Sequence, residues 1–244
     1  MKEVLRKILP SLRFRASLLV MLFVKPVSHI RDSIRDVRVT DVQGNADIFI
    51  QLPLLKHWTD TPPALSLELA RGASQHSCST EPDAIHLIYN ISRLTCAKNI
   101  LEIGTYRGAC SLALAQAVMM NGGSSITSID ISSEYFENIQ NNARYLGLDR
   151  LLNLIHASSA DYSSQSPDNS FDLIFIDGDH GFSAVVSDIE AYWPKLKEGG
   201  LMLLHDSVMW EGVRHALIQM KLKNIDYSTI ATSQGSGITL IIKA

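Results

Sequence analysis

Four side chains in the second half of the chain are of types that do metal and acid–base chemistry. Asp177 closes the apolar run in FDLIFIDGDH and Asp206 closes the one in GGLMLLHD, so both carboxylates are expected at the same edge of adjacent strands. Two carboxylates suffice for a hard cation such as Mg²⁺, which keeps several waters and completes its octahedron with substrate oxygens. His180 follows Asp177 by three residues, at the expected start of the next helix, where an imidazole can accept a hydroxyl proton near neutral pH. His205, beside Asp206, is a candidate further ligand, and Asp179 could bind a cation-bound water or cap the helix. Each also has a plain reading, since a strand-end acid can cap a helix and a histidine can face solvent or bond a neighbouring loop.

A second group of residues lies upstream, in NILEIGTYRGACSLALA. Glu102, Gly104 and Gly108 fall at the turn from a strand into a helix, where absent side chains let a ligand approach backbone N–H groups. The turn is G-x-x-x-G, without the middle glycine of the G-x-G-x-x-G dinucleotide loop, and it begins with an acid that would repel a pyrophosphate. That acid suits a cation such as the ammonium of an amino-acid moiety. Asp130 ends the next strand, SITSID, where a carboxylate can accept both hydroxyls of a ribose. Ser158 and Ser159, after a third strand, could offer hydroxyl or backbone groups to an adenine edge, or simply form a turn.

The elements that must position these residues are legible as an alternation. Short apolar runs at Asn99 to Ile103, Ser125 to Ile129, Leu152 to His156, Leu173 to Ile176 and Leu201 to Leu204 read as strands buried on both faces. Helical patterns lie between them at Ser111 to Met120, Ser133 to Tyr145 behind serine caps, and Ser183 to Leu196. Two further strands between Ile225 and Ile242, around Ser233 to Gly237, would add a closing hairpin. The expectation is an α/β fold with a mostly parallel seven-stranded sheet, helices on both faces and a C-terminal antiparallel hairpin. In such a sheet ligands bind at the carboxyl ends of the strands, where the residues above fall.

Taken together, LEIGTYRG, SIDIS, FDLIFIDGDH and KEGGLMLLHD resemble the class I S-adenosyl-L-methionine (SAM)-dependent methyltransferases, with their Rossmann-like fold. The similarity extends over roughly Ser79 to the C-terminus. It is nearest to the small-molecule O-methyltransferases of the catechol and antibiotic-sugar types, with a relation to cephalosporin hydroxylase-type proteins. The resemblance implies that Glu102, Gly104 and Tyr106 lie along the methionine part of SAM, Asp130 on its ribose, and Ser158 and Ser159 beside its adenine. It also implies a small hydroxylated acceptor, Mg²⁺ or another divalent metal at Asp177 and Asp206, and His180 at the position of the catalytic base. The sequence departs from that pattern beside Asp206, where relatives carry Asn or an acid and this chain has His205 and Ser207. Two other readings stand beside it: an oxidative enzyme with a redox metal, and a SAM-binding scaffold protein without catalysis.

With 46% hydrophobic and 19% charged residues, the 244-residue chain can bury a core. A net charge of -3 gives no reason to expect a nucleic-acid partner. Three cysteines without a CxxC pair argue against a disulfide framework and fit a reducing, cytoplasmic setting. The charge is uneven: Met1 to Arg38 carries nine Lys/Arg against three Asp/Glu. Residues 1–79 are expected to form a basic, partly helical segment that serves as a lid, a dimer contact or a peripheral membrane contact, ahead of a catalytic domain over 80–244. The apolar run Ala16 to Val24 falls well short of the roughly 20 residues a membrane-spanning helix needs. Trp58 and Trp210 are candidate acceptor-side walls, although large aromatics are more often core.

Overall fold

In the computed structural model, residues 79–223, 225–232 and 235–243 are described. The basic N-terminal segment, with its apolar run and Trp58, lies outside them. A helix, α1 (Pro82–Leu94), precedes the alternation; Pro82 suits its first turn, whose N–H groups have no partner within the helix. Then follow β1 (Asn99–Ile103), α2 (Ala109–Met120), β2 (Ser125–Asp130), α3 (Phe136–Tyr145), β3 (Leu152–His156), α4 (Ser159–Gln165), β4 (Phe171–Ile176), α5 (Phe182–Tyr192), β5 (Leu196–Leu204), α6 (Glu211–Leu222), β6 (Tyr227–Ile230) and β7 (Ile238–Ile242). All seven strands join one sheet in the order β3-β2-β1-β4-β5-β7-β6. The first five are parallel, and β7 runs antiparallel to both β5 and β6. The expected architecture is therefore observed, hairpin included.

Successive strand residues point to opposite faces, and both faces are covered. On one side Ile100, Ile126, Leu173, Phe175, Leu201 and Leu203 pack under α1, α2 and α3. On the other Leu101, Ile129, Ile174, Ile176, Met202 and Leu204 pack under α5 and α6. Helix α2 is buried from Ala109 to Val118, which its Ala, Ser and Cys residues permit by letting α1 and the sheet approach from both sides. Helix α3 buries only Ile139 and Ala143.

Register places the site. Ile103 is level with Ile129 and Ile176, and Ile176 with Leu204, so the strands of the sheet's centre end together. The chain leaves β1 for β2 on one side and later crosses to β4 on the other, so a crevice opens where the strand order reverses. Strand parity carries Glu102, Asp177 and His205 onto the α1–α2 side.

Two local expectations change. The α3 serine caps are not used: its N-cap is Tyr135, without a side-chain cap, and the Ser132 hydroxyl accepts from Glu134 N–H one turn earlier. His180 sits just ahead of α5, whose N-cap is Gly181, so it belongs to the loop and not to the helix.

Candidate active site

At the end of β1, Glu102 is fully buried. Its Oε2 accepts hydrogen bonds from the hydroxyls of Ser128, at 2.5 Å, and Ser111. Oε1 is buried with no partner among the described residues. Burial pushes the Glu102 carboxyl up to about 8 against those two hydrogen bonds, and the charges of Asp177 and Asp130 add to the rise. The following loop is fixed from β2: Gly104 N–H donates to Ile129 O at 2.9 Å, and Tyr106 N–H to Asp130 Oδ2 at 2.8 Å. Asp130 Oδ1 accepts from Ser132 N–H at 2.8 Å. Each Asp130 oxygen thus has one backbone donor and a lone pair to spare for a further hydroxyl.

The two glycines have a reason besides ligand approach. Gly104 has φ +97°, and a Cβ there would lie 2.2 Å from the Asp177 carbonyl oxygen; at Gly108, φ +79°, it would strike the Ile139 side chain. Close packing of β1 on β4 and of the loop on α3 demands them. Ser158 and Ser159 turn out to be engaged locally. Ser158 caps α4, accepting from Asp161 N–H at 3.1 Å, and Ser159 Oγ donates to Asp188 Oδ1 at 2.5 Å. Their carbonyls are engaged as well, Ser158 O by Tyr162 N–H at 3.1 Å and Ser159 O by the Tyr192 hydroxyl at 2.6 Å.

The second half of the site gathers Asp177, His180, His205 and Asp206, whose ligand atoms all lie within 4.8 Å of one another. Asp177 Oδ1 is 3.0 Å from His205 Nδ1, and Oδ2 accepts from Thr80 Oγ1 at 2.9 Å. His180 Nε2 lies 3.1 Å from Asp206 Oδ2 and 3.5 Å from Asp177 Oδ1, in ion-pair reach of both yet out of line for a hydrogen bond. Its ring stacks on Trp210, with centroids 5.2 Å apart and planes 14° from parallel. Asp206 holds a left-handed backbone, φ +56°. Burial pushes the Asp177 carboxyl up, but the charge of His205, the approach of His180 and the hydrogen bond from His205 outweigh it and leave it well below the usual range. Burial would lower His205; the charge and hydrogen bond of Asp177, with Glu81 behind them, hold it far above its ordinary value instead. Burial raises the Asp206 carboxyl, and Asp177 adds to the rise while His205 and His180 oppose it.

A cavity of about 440 Å³ joins the two halves, lined among others by Glu102, Tyr106, Asp177, His180, Asp206 and Trp210. That is within the range of small-molecule sites. Thr80, Glu81, Arg107 and Cys110 also border it and were not singled out from the sequence. Arg107 lies inside the glycine turn and Cys110 in the first turn of α2 behind it, so their position was available from that motif. Thr80 and Glu81 carried no such signal, because they reach the site only through the packing of α1. Among the described cysteines, Cys96 is exposed and Cys110 buried, and both are free.

Residues 101–207 match a family model described as a methyltransferase domain. That stretch holds both halves of the site. Over that stretch the chain is similar to a methyltransferase domain. An Arabidopsis thaliana protein named for caffeoyl-CoA O-methyltransferase is 29% identical over 178 residues, 65% of this chain and 75% of that protein. Tricin synthase 2 of Oryza sativa subsp. japonica is 27% identical over 161 residues; the match takes in 59% of this chain and 51% of that protein, about half its length. Among solved structures, an SAH-bound Podospora anserina methyltransferase superposes with a TM-score of 0.62 at 18% identity, over 78% of this chain and 92% of that one. An O-methyltransferase of Bacillus cereus in complex with SAH gives 0.61 at 18%, over 77% and 93%. At such identities these structures establish the methyltransferase fold. The likeness read from the motifs, to class I small-molecule O-methyltransferases, is borne out.

Proposed function

We propose that the chain transfers the methyl group of SAM to a hydroxyl of a small acceptor, with a divalent cation held by Asp177 and Asp206 and His180 as the general base. The observation that carries this is the opening of one cavity onto Glu102, the Asp130-held loop and the Asp177–His180–His205–Asp206 cluster. The residues fit the cofactor: a buried carboxyl oxygen on Glu102, without a partner among the described residues, suits an ammonium, and the spare lone pairs of Asp130 suit ribose hydroxyls. They fit a cation too, since four donors of oxygen and imidazole nitrogen converge.

A cation bound there would hold the acceptor oxygen and lower the pKa of its hydroxyl. The remaining work falls to the chain's own residues. Glu102 and Asp130 orient SAM, Thr80 keeps Asp177 in place, and His180 Nε2 accepts the hydroxyl proton. SAM bound beside Glu102 and Asp130 would supply the methyl group to that oxygen, its sulfonium becoming the neutral thioether of S-adenosylhomocysteine. Because the sulfonium is already an activated leaving group, alignment and deprotonation are the principal tasks. Trp210, stacked on His180 and part exposed, forms a wall beside the base where an aromatic or sugar ring can rest.

The test is turnover of SAM with a panel of phenols, catechols and sugars, with and without a chelator. Formation of a methyl ether, lost with chelation and restored by added Mg²⁺ or Mn²⁺, is the expected result. Oxygen consumption with added iron and no loss of SAM would replace this reading with an oxidative one. Tight SAM binding without transfer to any acceptor would make the protein a SAM-binding scaffold. Among the described residues no helix is long and apolar enough to cross a membrane.

A further inference from the structure

Glu81 occupies the N-cap position of α1, yet its side chain does not cap the helix. It turns inward and is only 4% exposed. Oε2 lies 3.1 Å from His205 Nε2, and Oε1 accepts from the hydroxyls of Thr232 and Ser236. Those hydroxyls are 2.6 Å from each other, and Gly237 N–H donates to Thr232 Oγ1 at 3.0 Å. One carboxylate is therefore clamped between the start of α1, the end of β5 and the β6–β7 connection. A buried carboxylate is costly unless its oxygens are satisfied, and here both are.

This clamp decides how His205 faces the site. With Nε2 donating to Glu81, Nδ1 is the nitrogen turned toward the aspartates, 3.0 Å from Asp177 Oδ1 and 3.7 Å from Asp206 Oδ2. Ions with bonds of roughly 2.0–2.2 Å space neighbouring ligand atoms about 3 Å apart. An imidazole whose other nitrogen is held by a carboxylate is the usual outer support of a metal-bound histidine: it fixes tautomer and ring orientation. Imidazole also favours first-row transition ions, whereas Mg²⁺ keeps to oxygen.

We propose that Glu81 is a positioning residue that presents His205 Nδ1 as a nitrogen ligand, making this a mixed nitrogen–oxygen centre that prefers a first-row transition ion over Mg²⁺. The inference rests on the reading that a cation binds at Asp177 and Asp206.

The experiment uses the full-length protein stripped of metal and titrated with Co²⁺ and with Mg²⁺, SAM absent. The expected result is tighter Co²⁺ than Mg²⁺ binding and an exchangeable, paramagnetically shifted imidazole N–H proton in the ¹H NMR spectrum of the Co²⁺ form. Glu81→Gln should lower Co²⁺ affinity about 10–100-fold, the range for loss of an outer-shell partner. Mg²⁺ affinity should move far less, so the Co²⁺/Mg²⁺ ratio collapses; His205→Gln should collapse it too and remove the shifted proton. A merely structural role for Glu81 would lower both affinities together and leave the ratio unchanged, which overturns the inference. If neither variant folds, the wild-type spectrum decides: Co²⁺ bound without a shifted imidazole N–H overturns it. Binding of both ions with an unaltered ratio removes only this inference, whereas failure of either ion to bind removes the cation from the proposed function as well.

Discussion

Replacing Glu102 with glutamine is predicted to uncouple cofactor binding from proton release. Burial holds the Glu102 carboxyl up at about 8 in the cofactor-free protein. At pH 7 about nine molecules in ten then carry a proton there, by the ordinary titration relation. An ammonium arriving beside the buried Oε1 favours the ionised form, so binding at pH 7 should release close to one proton. Affinity should rise about eightfold from pH 6 to pH 7 and peak near pH 8, where the α-amino group of SAM starts to lose its own charge. Calorimetry in two buffers of different ionisation enthalpy measures the released proton directly. Wild-type binding heats that do not depend on the buffer, or equal release from Glu102→Gln, would refute the reasoning. The same shift fixes a sign for stability. The folded pKa lies above the ordinary 4.5, so the folded state binds the extra proton between those values. Stability from this group is complete below pH 4.5 and lost as pH rises through 8. Cofactor-free wild type should therefore lose stability relative to Glu102→Gln between pH 5 and pH 8, as read by thermal melts.

Gly104→Ala combines a φ of +97° with a Cβ 2.2 Å from the Asp177 carbonyl, so a loss of roughly 2–4 kcal/mol in urea unfolding is expected. Asp130→Ala removes the acceptor for Tyr106 and Ser132 N–H, and should weaken SAM about 10–100-fold by calorimetry. His180→Ala should lower kcat about 10²–10⁴-fold while SAM affinity stays within a factor of about three; unchanged turnover would remove His180 from the mechanism.

The sheet was legible because a strand buried on both faces is written as an apolar run, and five such runs separated by helical patterns allow few topologies. Asp130, Asp177 and Asp206 were legible for the same reason, each being the first acid after a run. Boundaries were less so: β5 begins at Leu196 and not at Leu201, since Leu196 pairs with Phe171 ahead of a register shift and the polar Lys197 and Glu198 hide that start in the sequence. Ser158 and Ser159 follow β3 as read, but the Ser158 hydroxyl caps α4 with Asp161 three residues on, a local spacing, and the Ser159 hydroxyl answers to Asp188, whose distance in sequence gives no such cue. Gly104 and Gly108 were read as room for a ligand, while the contact with Asp177 O and Ile139 is visible only once the strands are packed. Glu81 is the clearest case of what sequence cannot show. It lies 124 residues from His205, and an acid before Pro82 reads as an ordinary helix start.

Thr80 and Glu81 give the fold an asymmetry of construction. Every other charged residue of the site grows from a strand end or the loop behind it, inside the span that matches the methyltransferase family model. These two come from ahead of that span, so the domain as a unit of sequence and the site as a unit of chemistry do not coincide. A fragment begun at β1 would keep every strand and the Asp177–His180–Asp206 group, and would still have lost the hydroxyl on Asp177 and the support behind His205. Residues in front of α1 are thus tied by covalent chain to the groups that hold Asp177 and His205. Whatever acts on that entry point, a partner, a bound surface or a cleavage, acts within one or two peptide bonds of the supports of Asp177 and His205.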